Sequence, residues 1–144
     1  MKRTSSRGFD SEYLAEVVKS ILKNGFVFDT DIEKLRLMIY AYDKDVVTKE
    51  EAEALFKIND GVKKSTANTI SWPLLFTEGV SDYLLTDETS PGVVDEEEGA
   101  WLIRKLSKSG DKLHASEKEL LKILKEKATS LPPALLEKCK EWGV

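Results

Sequence analysis

The chain has 144 residues, 41% hydrophobic and 33% charged, with 22 Lys and Arg against 26 Asp and Glu for a formal net charge of -4. That is one ordinary domain with enough chain to bury a core. Three Trp, four Tyr and five Phe exclude a disordered chain, a single Cys excludes a disulfide scaffold, and no apolar run approaches the ~18 residues of a spanning helix.

Residues 1–8 are basic and polar, are followed by no apolar leader segment, and are expected to form a flexible tail on a single domain spanning 9–144. With no leader and no internal disulfide, a cytoplasmic protein is expected. Helix signals then recur along the domain. Asp10 and Ser11 precede a segment whose Leu14, Val17, Val18, Ile21 and Leu22 repeat at helical spacing, and Asn24-Gly25 supplies a stop. Phe26-Val27-Phe28 is the only strand-like run and has no evident partner.

Four later starts carry the residues of a capping box, in which a short polar side chain caps the third backbone N–H and the acid there reaches back. They are Thr30 with Glu33, Thr48 with Glu51, Asp95 with Glu98, and Ser116 with Glu119. Two more helices open at prolines, near Pro73 and at Pro132-Pro133, because a first helical turn tolerates proline. The sequence thus predicts an all-α, compact bundle of about seven helices.

An internal repeat organises the middle of the chain. Residues 46–56 match residues 93–103 at an offset of 47, sharing Val46/Val93, Val47/Val94, Glu50/Glu97, Glu51/Glu98 and Leu55/Leu102. The repeated unit is helix, acidic loop, helix. A fainter third copy falls over residues 112–119, in a register that sets Ser116 against Thr48 and Asp95, and His114 against Val46 and Val93.

Charge follows the repeat. Residues 1–25 carry +2, residues 26–100 carry -10 and residues 101–144 carry +4. No Lys or Arg occurs between Lys64 and Arg104. A centre this acidic repels phosphate, so no nucleic-acid partner is expected, whereas cations or a protein with a basic surface suit it. No membrane insertion is expected either.

Residues 87–98 read as a twelve-residue calcium loop. Asp87 takes the first position, Thr89 the third, Gly92 the sixth-position turn, Asp95 the ninth and Glu98 the twelfth. A hard cation such as calcium wants several oxygens, which Asp87, Thr89, Asp95, Glu98 and the Val93 carbonyl could supply, although Pro91 at the fifth position offers none. The same residues also read as a Pro-Gly turn followed by a capped helix. Asp43, Asp45, Glu50, Glu51, Glu96 and Glu97 form a secondary acidic cluster at the repeated junctions.

Catalytic motifs do not assemble. His114 is the only histidine, which rules out a multi-histidine metal site, and a packing role is expected for it. Cys139 falls on the apolar face of the last helix, where a small buried hydrophobe is expected rather than a nucleophile. No enzyme is expected, the remaining catalytic alternative being a hydrolase with an unrecognised carboxylate site.

The repeated unit resembles that of the TerB-like tellurite-resistance superfamily. The resemblance rests on Ala41–Ala52, on Ser109–Leu121 with Gly110-Asp111 in place of the usual Asp-Gly turn, and on the run from Trp72-Pro73-Leu74-Leu75-Phe76 through Pro91-Gly92-Val93-Val94-Asp95 to Trp101-Leu102-Ile103, which is similar to a bacterial branch. It covers about residues 30–130. It implies an all-α bundle, cytoplasmic, with divalent-cation binding and a stress-response role in membrane-associated complexes. The family name records a phenotype and not a reaction, so a non-enzymatic adaptor is the function expected, with a metal-independent interaction domain as the alternative.

Overall fold

The apolar spacing described above becomes seven helices in the computed structural model, which describes residues 2–40, 47–62, 71–86, 92–107 and 113–144, with side chains from residue 13 onward. They are α1 (Lys2–Asn24), α2 (Asp29–Tyr40), α3 (Lys49–Gly61), α4 (Ser71–Leu85), α5 (Glu96–Ser107), α6 (Ala115–Lys127) and α7 (Pro133–Trp142). The protein is an all-α bundle. No helix among the described residues is long and apolar enough to cross a membrane.

Helix α4 is the hub. It buries Trp72, Leu75, Phe76, Thr77, Gly79, Val80, Ser81 and Leu84, residues on most of its circumference, as expected of a helix packed against α2, α3 and α6. Thr77 and Ser81 can be buried because each hydroxyl donates back to a carbonyl of its own helix, Pro73 at 2.9 Å and Glu78 at 3.2 Å. Two contacts at one sequence offset set α2 beside α4 in parallel: Arg36 Nη1 donates to Glu78 Oε1 at 2.8 Å and Tyr40 Oη to Asp82 Oδ2 at 2.7 Å. Burial and the Asp82 carboxylate both push the Tyr40 phenol up, so it stays protonated and holds the donor role.

A string of aromatic rings crosses the core. Trp72 leans on Phe76, Phe76 meets Phe56 edge-on at 5.1 Å, Phe56 meets Trp101 at 5.6 Å, and Trp101 meets Tyr83 at 5.1 Å. The string ties α3 and α5 to α4. The two Phe56 contacts, near-perpendicular at 87° and 82°, have the edge-to-face geometry that ring quadrupoles favour.

Helix starts depart from expectation in three places. Helix α1 begins at Lys2 and not at the caps Asp10 and Ser11; residues 2–9 carry no apolar periodicity by which sequence could have extended it. Helix α2 begins one residue before Thr30, so the Thr30–Glu33 box does not form; instead Asp31 reaches back to the Phe28 N–H at 2.9 Å. Helix α6 starts at Ala115, with Glu117 accepting the His114 N–H at 2.8 Å, which replaces the Ser116–Glu119 box. What decides this last start is the apolar residue before the cap: Val47, Val94 and Leu113 are all buried, each followed by the capping position. The third copy therefore shifts by two residues, and His114 takes the place of Thr48 and Asp95 rather than that of Val46 and Val93.

Phe26-Val27-Phe28 forms no strand. It alternates across the α1–α2 connection, with Val27 buried and the two exposed phenylalanine rings stacked at 5.7 Å.

Candidate functional site

The three loop-to-helix junctions gather the acids that the repeat singled out, and they use them in two ways. At each, the third residue of the helix is a glutamate whose carboxylate accepts the N–H of the capping residue: Glu51 from Thr48 at 3.0 Å, Glu98 from Asp95 at 3.0 Å and Glu117 from His114 at 2.8 Å. Thr48 and Asp95 complete the reciprocal half, their side-chain oxygens accepting the N–H of Glu51 at 3.1 Å and of Glu98 at 2.7 Å. These bonds satisfy backbone donors that a helix start leaves without partners.

Glu117 goes further inward. It is fully buried, and its second oxygen faces Asn59 Nδ2 at 3.5 Å. Asn59 Oδ1 in turn accepts from Trp72 Nε1 at 3.1 Å and from Ser116 Oγ at 3.2 Å, so α3, α4 and α6 are pinned at one buried polar cluster. His114 Nδ1 lies 3.6 Å from Glu117 Oε1 at the edge of this cluster. Sequence reading missed it. The signal was present: Asn59 sits in register with Leu55, Phe56 and Val62, and Glu117 with Leu113, Leu120, Leu121 and Leu124, so each is a polar residue on an apolar face.

The other junction acids face water. Glu96 and Glu97 are exposed in the first turn of α5, beside the exposed capping residue Asp95. Glu50 is exposed beside its buried neighbour Glu51, so the two do not form one acidic surface. Asp43, Asp45, Asp87 and Thr89 lie outside the described residues. Among the described residues, no three His, Cys, Asp or Glu side chains come together in a way that could hold a metal ion.

The turn that precedes α5 is well defined. Gly92 has φ 81°, a left-handed conformation that favours glycine, and its N–H donates to the Leu85 carbonyl at 2.8 Å. Its own carbonyl accepts from the Thr129 N–H at 2.7 Å, and Val94 N–H donates to the Ser130 carbonyl at 3.0 Å, a short parallel bridge to the α6–α7 connection. A Cβ on Gly92 would stand 2.8 Å from Thr129 Oγ1. The backbone on either side of residues 87–91 is thus anchored at Leu85 and at Gly92.

Cys139 is buried, and desolvation pushes its thiol up, which keeps the unreactive protonated form. Glu53 is spent on α5, accepting from Trp101 Nε1 at 3.1 Å with Lys105 Nζ at 3.8 Å.

No family model, curated protein or solved structure matches this chain. The TerB-like resemblance therefore rests on the motifs themselves.

Proposed function

We propose that the chain is a non-enzymatic binding module, a cytoplasmic stress-response adaptor of the TerB-like kind, whose acidic α5 start docks a partner with a basic surface. The observation that carries this reading is the division of labour among the acids. Glu51, Asp95, Glu98 and Glu117 are taken up by helix starts, whereas Glu96 and Glu97 serve no cap and, with Asp95 and Glu98, crowd four like charges into one turn. A helix macrodipole favours acids there, but adjacent like charges repel, so the turn holds more negative charge than capping requires. Such a surface steers and orients a cationic partner. Calorimetric titration with a lysine-rich peptide should give saturable, salt-sensitive binding; absence of heat at low ionic strength would count against the docking surface.

A divalent cation is a second reading, supported by the turn itself. Gly92 is left-handed at the sixth position of the twelve-residue frame, and the backbone bridges at Val93 just beyond it, the sharp turn and extended exit that a calcium loop requires. Asp87, Thr89, Asp95 and Glu98 would be its side-chain ligands. Terbium titration, read through emission sensitised by Trp101 and displaced by calcium, should then saturate and be weakened by Asp87→Asn, a change that spares the capping box. No saturation up to millimolar terbium would remove the cation and leave the docking surface.

A further inference from the structure

Helix α7 is held differently from the others. It packs chiefly on α5, and of its residues only Leu135 and Cys139 are buried, against eight on α4. Among the described residues, no α7 side chain makes a hydrogen bond or ion pair to another helix: Lys138 pairs with Glu141 at 3.1 Å and lies over the Trp142 ring, both on α7 itself. Ten residues are also too few to keep a helix in water without packing, since isolated helices shorter than ~12–15 residues are marginal. Segments with such sparse packing open locally while the rest of a fold persists.

The root of α7, by contrast, is fixed. Thr129 N–H donates to the Gly92 carbonyl and Val94 N–H to the Ser130 carbonyl, so the α6–α7 connection is stitched to the chain entering α5. Two residues on, the Pro132 ring sits against Gly99 of α5, where an added Cβ would stand 2.5 Å from Pro132 Cγ. A glycine inside a helix weakens it relative to alanine, so α5 gives up helix stability at this position for a close seat. Gly99 shares its face with Leu102, Ile103 and Leu106 at i, i+3, i+4 and i+7, whereas Trp101 and Lys105 reach the other way, to Glu53 on α3. One side of α5 thus belongs to the body of the bundle and another to α7.

We infer that α7 is a releasable strap, keyed to α5 by the Pro132–Gly99 contact, which unfolds from α5 while the helices packed on α4 stay folded. Release bares the Gly99 face of α5, the helix whose first turn carries Glu96 and Glu97. Cys139 is the only cysteine of the chain and lies on the buried face of α7, so its alkylation by N-ethylmaleimide reports release directly. In the 144-residue chain, labelling should proceed well below the unfolding midpoint, with a denaturant slope less than about half that of global unfolding, because release exposes little surface. Gly99→Ala should speed labelling by about tenfold or more by pushing Pro132 off its seat, even though alanine is the better helix former. Ile39→Val, a buried change on α2, which packs on α1 and α4, should lower the unfolding midpoint and leave labelling at low denaturant unchanged. Three results would overturn the strap: labelling with the full denaturant slope of unfolding, labelling that quickens in Ile39→Val in step with its lost stability, or a Gly99→Ala chain labelled no faster than the parent. No partner is present in the measurement, so the strap and the proposed docking surface stand or fall separately.

Discussion

Phe56→Ala destabilises the fold by about 4 kcal/mol, the cost of emptying a fully packed aromatic site in a core. Phe56 is the crossing point of the aromatic string: it touches Phe76 on α4 and Trp101 on α5, and it is buried to 1% exposure. Each such ring pair adds about 0.5–1.5 kcal/mol beyond the area it buries. Domains of this size hold only about 5–15 kcal/mol in all, so the variant should lose a large share of its stability. Equilibrium denaturation is the measurement, and the midpoint should fall steeply. Phe56→Leu should fall less because it keeps part of the volume. A loss below about 1 kcal/mol for the alanine variant would mean that the string does not hold α3, α4 and α5 together.

Glu117→Ala should cost about 3 kcal/mol, because it leaves the His114 N–H and Asn59 Nδ2 without the carboxylate that faces them in a site water does not reach. Its counterpart Glu98→Ala breaks the same bond in a solvent-facing turn, where water can replace the carboxylate, and should cost about 1 kcal/mol or less. Glu117→Gln should fall between them, since an amide oxygen can still accept from His114 while its NH2 meets the Asn59 amide donor. The pair of alanine variants separates burial from capping. Equal losses in denaturant unfolding would show that the Asn59–Trp72–Ser116 cluster adds nothing beyond a helix cap.

Much of this was legible in the sequence where periodicity and capping chemistry act locally. The seven helices follow from apolar spacing, and the boxes at Thr48–Glu51 and Asp95–Glu98 form as their residue types predict. The misplaced starts of α2 and α6 share one cause. A short polar residue followed by an acid three positions later recurs easily in a chain that is 33% charged, and only burial of the preceding residue separates a real cap from a coincidence. At α6 that residue is Leu113, so the helix starts at Ala115 with His114 as its cap and Ser116 becomes a donor to Asn59. The polar cluster was hidden for a different reason. It depends on residues from separate helices, Asn59 with Glu117 across 58 positions, which no local pattern brings together. The acidic centre was visible as a count, but its split into buried caps and exposed surplus required knowing that Glu51 and Glu117 are buried whereas Glu96 and Glu97 are exposed.

The exposed surplus carries the functional proposal, and one comparison tests it most directly. Glu96→Gln with Glu97→Gln removes two charges from the α5 start without breaking a cap, and Glu126→Gln with Glu137→Gln removes two from exposed positions elsewhere. Both double variants have the same net charge, so a generic attraction between an acidic chain and a basic peptide weakens equally in the two. In calorimetric titration with the lysine-rich peptide, the α5 variant should lose most of the binding while the other keeps it, with both retaining the thermal midpoint of the parent chain. Equal loss in the two variants, or a collapse of stability in the α5 variant alone, would contradict a docking surface at Asp95–Glu97.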